Sequence, residues 1–398
     1  MKKIWLDSYP NHIPSKLSNS EFNSISEIFN YASKKFSNLI AFNSLGSNLS
    51  FKKTALFANR FSAFLYNVLR IRKGDKVAVM LPNLLTFPVS FFGCINIGAI
   101  VVNVNPLFTS REIKSLLMDS SAETIVILDK FLDELEPILS ETKIKNVVVC
   151  RPYDLLNLPM ATIVKAMLFF KTKLNKISKD YILFGDLVRT KEKIQPVSIS
   201  KNDIAVLQYT GGTTGKSKAA VLTHHNLVSN ISQLQLWVDN ILQEGKEIII
   251  TALPMYHIFS LTVNLLFFYK IGSKNILVAN PRDLKSFVKT LSKNKFTVIT
   301  AVNTLFNLLL TSSKFKKTKL QSLKFSVGGG MAVLKSTAKK WKAVTGCEIT
   351  QGYGLTETSP IVAVNPVGKN FNGSIGLPLP STEISIRDEN DKEVPVGK

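Results

Sequence analysis

The chain carries three cysteines in 398 residues, Cys94, Cys150 and Cys347, widely separated and odd in number. That excludes a disulfide-stapled scaffold and a cysteine-rich metal site, and it suits a reducing, intracellular compartment. Acid is scarce as well. Asp and Glu total 28 against 50 Lys and Arg, a formal net charge of +22. Such an excess invites nucleic acid as a partner, but only 8 of those 50 are arginine, the residue best suited to reading bases. No zinc finger, RNA-recognition motif or helix-turn-helix pattern accompanies the 42 lysines. The excess reads as a general compositional bias, with no specific nucleic-acid partner. Weak attraction to an acidic membrane surface stays open.

Charge is missing altogether from residues 77–110. Pro82, Asn83, Pro88, Asn96, Asn103, Asn105 and Pro106 interrupt that run, so it reads as buried strand 76–81, helix 84–98 and buried strand 99–104. Residues 255–269 are also uncharged, yet too short to cross a bilayer, and they include His257 and Asn264. A buried helix fits them better. Lys2 and Lys3 have no apolar segment behind them, which argues against a signal peptide. The expectation is a cytoplasmic protein without a transmembrane span, with peripheral contact to the inner face of the cell membrane left open.

What the chain does have is alternation. Helical spacing of apolar residues at 20–36, 51–69 and 111–119 interleaves with strand-like runs at 76–81, 99–104, 124–129 and 146–150. The pattern returns with helices at 226–237, 284–293 and 303–310 and strands at 247–252, 275–278, 297–301 and 324–327. The fold class is α/β, two parallel-type sheets flanked by helices. In residues 159–177, Ile163, Met167, Phe170, Leu174 and Ile177 share one helical face. Packing onto its own domain is the commoner fate of such a face, and a membrane surface is the alternative.

Four stretches carry chemistry. Tyr209, Thr210, Gly211, Gly212, Thr213, Thr214, Gly215, Lys216, Ser217 and Lys218 follow the strand-like residues 204–208. Glycine backbone, threonine hydroxyls and lysine charge make a phosphate cradle. It is no P-loop: Gly215, Lys216 and Ser217 follow Gly211 at one residue too few, and the next segment is β-prone. His257 follows a strand beside Tyr256, where α/β sheets bind ligands. Gly328, Gly329 and Gly330 end another strand and permit close approach of a flat ligand. Gly352, Tyr353, Gly354, Leu355, Thr356 and Glu357 offer an aromatic face, a hydroxyl and a carboxylate together. Each alone is weak, since triple glycines are usually turns and lone histidines usually belong to the core.

In this order and spacing the four stretches resemble the adenylate-forming (AMP-binding) superfamily, most closely its bacterial long-chain fatty acid–CoA ligases. Pro82 to Leu85, Val101 to Leu107, Ala252 to Phe259, Asn280 to Asp283 and Gly373 to Pro378 look like that branch. The resemblance implies an ATP-dependent ligase that makes acyl-AMP from a long-chain fatty acid, releases pyrophosphate, and passes the acyl group to coenzyme A. It implies that Tyr209 to Lys218 hold phosphates, that Gly328 to Gly330 and Gly352 to Gly354 flank adenine with Tyr353 stacked on it, and that Thr356 bonds the α-phosphate. It implies Mg²⁺ at Glu357, His257 beside the acyl carboxylate, and Phe259, Leu261 and Val263 along the acyl tunnel. Lys218, His257, Thr356 and Glu357 are the expected catalytic set. The resemblance further implies subdomains at about 1–195, 196–370 and 371–398, the last cut short. A homodimer and a membrane contact through 159–177 stay open as partners.

Two departures stand out. Ala219 replaces the glycine usual after the loop's second lysine. The family's ribose-binding aspartate, hinge and mobile C-terminal domain with its adenylation lysine are expected to be absent. An eroded remnant with little turnover, and a fatty-acyl-AMP ligase lacking the coenzyme A step, are therefore the alternatives.

Overall fold

The computed structural model describes residues 3–18, 20–171, 178–189, 194–210, 218–395 and 397. Strands β1 (Ile40–Ser44), β2 (Ser47–Ser50), β3 (Lys76–Met80), β4 (Ile100–Asn103), β5 (Thr124–Leu128), β6 (Asn146–Cys150), β7 (Ile182–Leu183), β8 (Ile204–Thr210) and β9 (Lys218–Thr223) come first. They are followed by β10 (Ile248–Thr251), β11 (Lys274–Leu277), β12 (Val298–Ala301), β13 (Phe325–Gly328), β14 (Ile349–Gly354), β15 (Ile361–Val364) and β16 (Leu377–Pro378). One sheet runs β7-β6-β5-β3-β4-β8-β9 and the other β16-β15-β14-β13-β12-β10-β11-β1-β2.

Both sheets are parallel through their centres; the first is antiparallel at its β8–β9 edge and parallel at its β6–β7 edge, and the second is antiparallel at both ends, β1 with β2 and β14, β15 and β16 in succession. The parallel strands are buried on both faces, which is why β3, β4, β5 and β6 read as continuous apolar runs. The expected boundary near residue 195 is crossed in both directions. Hairpin β1–β2 joins the second sheet through β11, and β8–β9 joins the first through β4.

The helix Thr86–Asn96 is buried from Thr86 to Ile95 and packs on helix Phe51–Asn67. Its contact is close enough that a Cβ on Gly93 would lie 2.6 Å from the Phe61 ring. That burial accounts for the uncharged run 77–110. Residues 260–267, inside the expected buried helix 255–269, form a fully buried π-helix, Ser260–Phe267. Such insertions gather at functional sites because the widened turn redirects side chains. The helix Leu158–Lys171 differs from the one-sided amphipathic reading. Ile163, Met167 and Phe170 are exposed and do not pack onto the domain as the commoner reading had it, and Leu158 (85%) and Phe169 (67%), which point elsewhere around the axis, are exposed too. Leu174 and Ile177 lie outside the described residues.

The helix His224–Val238 starts at a capping box formed by Thr223 and Asn226. Its His224 ring accepts the Ile25 N–H at Nδ1, 3.1 Å away. Burial pushes the His224 pKa down from 6.5 to about 4. The folded pKa is lowered, so the unfolded chain takes up the proton first as pH falls. Stability from this group is complete above about pH 6.5 and is lost as pH drops towards about 4. Wild-type protein should lose about 2 kcal/mol of unfolding free energy between about pH 7.5 and about pH 5 that His224→Gln does not lose. Denaturant titrations at the two pH values measure this, and identical pH dependence in both proteins would refute it.

Candidate active site

Three parallel strands of the second sheet end at one place. β10 leads into Ala252–Phe259, β13 ends in the glycines 328–330, and β14 continues through Gly352, Tyr353 and Gly354. Gly328 is in register with Ala301 and Gln351, so the glycine and tyrosine stretches start level with each other. The β8–β9 hairpin of the first sheet reaches the same place, with Thr210 paired to Lys218. Between them runs a cavity of 520 Å³.

Of the residues expected from sequence, the cavity wall includes Thr210, Lys218, His257, Gly328, Gly329, Gly330, Gly352, Tyr353, Gly354, Thr356 and Glu357. Tyr209 is not among them. Its hydroxyl donates to Asp119 Oδ2 at 2.5 Å, away from the cavity, and burial with the Asp119 charge raises its pKa. A strand alternates its side chains, so Tyr209 and Thr210 cannot share a face. Gly211, Gly212, Thr213, Thr214, Gly215, Lys216 and Ser217 lie outside the described residues. Their two anchors, Thr210 and Lys218, stand at the cavity.

Three of the glycines, Gly328, Gly329 and Gly354, leave little or no room for a side chain. A Cβ on Gly328 would stand 2.6 Å from Val333 Cγ2, and one on Gly329 would stand 3.0 Å from the Phe259 ring. Gly354 is tighter still, since a Cβ there would be 2.0 Å from the Pro360 carbonyl oxygen. That contact draws β14 and β15 together and folds residues 355–360 into a turn that presents Thr356 and Glu357. Thr358 pins the turn: its hydroxyl accepts the Leu355 N–H at 3.0 Å. Asn230 clips the far side, donating to Ile361 O at 2.8 Å and accepting Ile361 N–H at 3.1 Å. Thr262 of the π-helix donates to Ser359 O at 2.9 Å.

His257 is held by two amides that the sequence pattern did not single out as functional. Asn83, three residues past the end of β3, is 3% exposed. Its Nδ2 donates to Thr251 O at 3.0 Å and Leu253 O at 2.9 Å, and its Oδ1 accepts Met255 N–H at 2.9 Å. Gln208 donates to Tyr256 O at 2.9 Å and accepts from Asn103 at 2.9 Å. Polar residues inside otherwise apolar strand ends were the available signal, because a buried amide must be satisfied by something. His257 Nδ1 accepts the Phe259 N–H at 3.3 Å, leaving the proton on Nε2. The ring opens to the cavity, yet the protein around it is dense enough that desolvation lowers its pKa. It is a neutral donor at pH 7.

The other arm of the cavity is apolar. Phe259 and Val263 line it as expected, whereas Leu261 is buried elsewhere. Most of the wall comes from residues that periodicity alone could not distinguish from core. These are Leu234, Trp237 and Val238 of the helix, Phe267 and Phe268 of the π-helix end, and Ile361 and Val364 of β15.

Glu357 is exposed at the cavity and makes no hydrogen bond or ion pair with another described residue. Among the described residues no cluster of three or more His, Cys, Asp and Glu could enclose a metal. A carboxylate at the cavity wall with no partner among the described residues fits Mg²⁺, which takes one or two carboxylates and completes its shell with phosphate oxygens and water.

Residues 29–398 match the AMP-binding enzyme family. The chain belongs to that family. This AMP-binding enzyme is 42% identical, over 100% of its own length and 72% of the relative's, to a long-chain-fatty-acid–CoA ligase of Yersinia pestis. It is 32% identical to one of Bacillus subtilis, covering 99% of this chain and 70% of that one. In fold it is similar to a long-chain-fatty-acid–CoA ligase from Archaeoglobus fulgidus, at a TM-score of 0.81 and 22% identity, covering 97% of this chain and 75% of that one. An anthranilate CoA ligase solved with anthranoyl-AMP gives 0.81 at 24% identity over 94% and 68% of the two chains.

Proposed function

We propose that this AMP-binding enzyme is a long-chain fatty acid–CoA ligase. The observation that carries the reading is one cavity with a polar end, at Thr210, Lys218, His257, Thr356 and Glu357, continuous with an apolar arm. Its relatives' names point the same way. A carboxylate is a poor electrophile. Its oxygen attacks the α-phosphorus of ATP, the α–β bridging P–O bond breaks, and acyl-AMP and pyrophosphate form. The thiolate of coenzyme A then attacks the acyl carbon, and AMP leaves with the electron pair of the C–O bond.

The residues divide that work. Thr356 donates its hydroxyl to the α-phosphate, and Lys218 neutralises the departing pyrophosphate, a role of positioning and charge. Tyr353, 42% exposed in the wall, offers its ring to adenine above the bare backbone of Gly328 to Gly330. The neutral His257 offers Nε2–H to the fatty carboxylate. Mg²⁺ held by Glu357 would neutralise phosphate charge as the bond breaks.

The test is palmitate-dependent exchange of labelled pyrophosphate into ATP by the 398-residue chain. Exchange that requires Mg²⁺ and is lost in Glu357→Gln supports the reading. Tight binding of a palmitoyl-adenylate analogue without exchange indicates an inactive remnant. Exchange without thioester on adding coenzyme A indicates an acyl-AMP ligase.

Among the described residues no helix is long and apolar enough to cross a membrane. Peripheral contact is a separate matter. The exposed Leu158, Ile163, Met167, Phe169 and Phe170, with Lys165 between them, suit insertion into an acidic lipid surface. Co-sedimentation with phosphatidylglycerol vesicles that survives in Lys165→Gln but is lost in the double variant F169S/F170S supports the contact. Equal binding by that double variant would remove it.

A further inference from the structure

A second cavity of 260 Å³ lies against the apolar arm of the first. The residues common to the two walls are Val238 and Phe267. Val238 is 3% exposed and Phe267 1% exposed, so two side chains, one from the helix His224–Val238 and one from the end of the π-helix, form the partition. The other walls of the second cavity are Leu242 and Ile271 on the apolar side and Gln235, Asp239 and Glu244 on the outer side. Lys270 donates to Gln235 and holds it at that rim. Lys35 pairs with Glu244 at 2.5 Å and ties down the opposite side.

We propose that Phe267 and Val238 form the chain-length stop of the acyl arm, and that the second cavity receives the methyl end of acyl chains too long for the first. This rests on the acyl-adenylate reading of the first cavity. The physical reason is placement. A chain whose carboxylate lies at His257 runs down the apolar arm towards the partition, because that arm is the apolar continuation of the site. The Phe267 ring packs edge-on against Phe268 at 5.2 Å and borders the open volume of the second cavity. A ring with free volume beside it can swing where one embedded in close-packed core cannot. Once it swings, each further methylene leaves water for Leu242 and Ile271, worth about fourfold in affinity. The polar rim ends that gain. Asp239 and Glu244 cannot be covered by hydrocarbon without loss of solvation, so the site favours an upper chain length instead of growing with every carbon.

The experiment uses non-hydrolysable acyl-adenylate analogues with chains of 12 to 20 carbons, titrated calorimetrically into the 398-residue protein. In wild type, affinity should rise with length and then level off. Phe267→Ala removes the partition and should raise the ratio of 20-carbon to 12-carbon affinity at least about fivefold, a little over one methylene's worth. Leu242→Trp fills the second cavity from its far wall and should lower the same ratio by a similar factor. Leu242 lines only the second cavity, so this variant keeps the test available should Phe267→Ala fail to fold. Ratios equal to wild type in a folded Leu242→Trp overturn the proposal. Failure of every analogue to bind wild type overturns the acyl-adenylate reading itself, and a flat length dependence with tight binding overturns only the stop.

Discussion

Gly354→Ala is expected to disable the site while its neighbour Gly352→Ala leaves the fold intact. A Cβ at 354 would stand 2.0 Å from the Pro360 oxygen, 2.7 Å from its carbonyl carbon and 3.2 Å from Ile361 Cα. All three are backbone atoms, so no rotamer change can relieve the clash. β14 must part from β15, and with it go the Leu355 N–H to Pro360 O bond of 3.0 Å and the turn that sets Thr356 beside Glu357. Overpacking of this kind costs about 3 kcal/mol or more. At Gly352 the nearest atom to a Cβ is 3.4 Å away, an ordinary contact, and the added cost is below about 1 kcal/mol. Urea denaturation gives the stabilities, and titration with an acyl-adenylate analogue gives the site. Should Gly354→Ala bind the analogue as wild type does, the turn is not what presents the polar end.

Asn83→Ala is the second large effect, and Asn83→Asp should be worse. In the alanine variant Thr251 O keeps the Val278 N–H and Leu253 O keeps the Ser260 hydroxyl, so those carbonyls remain satisfied. Met255 N–H has Asn83 Oδ1 as its partner and is left buried without one, at a cost of about 2–3 kcal/mol. Aspartate still accepts from Met255, but its second oxygen faces the Thr251 and Leu253 carbonyls where an NH₂ group donated. A buried carboxylate against two carbonyl oxygens must protonate or unfold the region. The order of stability at pH 7 is therefore wild type, alanine, aspartate. The same order in pyrophosphate exchange follows, since the loop released is the one carrying His257. An aspartate variant as stable as wild type at pH 7 would show that Asn83 does not clip this loop through its amide.

The centres of both sheets were legible because buried parallel strands are largely apolar on both faces, as in β3 to β6, β10 and β12. Their edges were not. β1 and β2, Ile40–Ser44 and Ser47–Ser50, contain three serines and two asparagines and lack the run that marks a central strand. Their pairing depends on β11, some 230 positions away, which no local pattern reports. At the site, glycine and charge marked the polar end, since those residues have few other reasons to follow a strand. The apolar arm stayed hidden because Trp237, Phe267 and Val364 look the same whether they face a ligand or a core. Asn83 and Gln208 were visible as oddities in apolar surroundings, though their partners were not.

The sharing of strands between the sheets also bears on how the chain is made. Hairpin β1–β2 docks on β11, so its place in the sheet does not exist until residues from Lys274 onward have been synthesised. At ribosomal rates that interval is about 10–45 s. A two-stranded hairpin is marginal on its own. Phe42 and Leu49, buried in the finished protein, must therefore wait exposed or be shielded by a chaperone during that time. Ribosome-bound chains halted before and after Lys274 should differ in protease sensitivity at residues 40–50, a region that contributes nothing to the cavity wall.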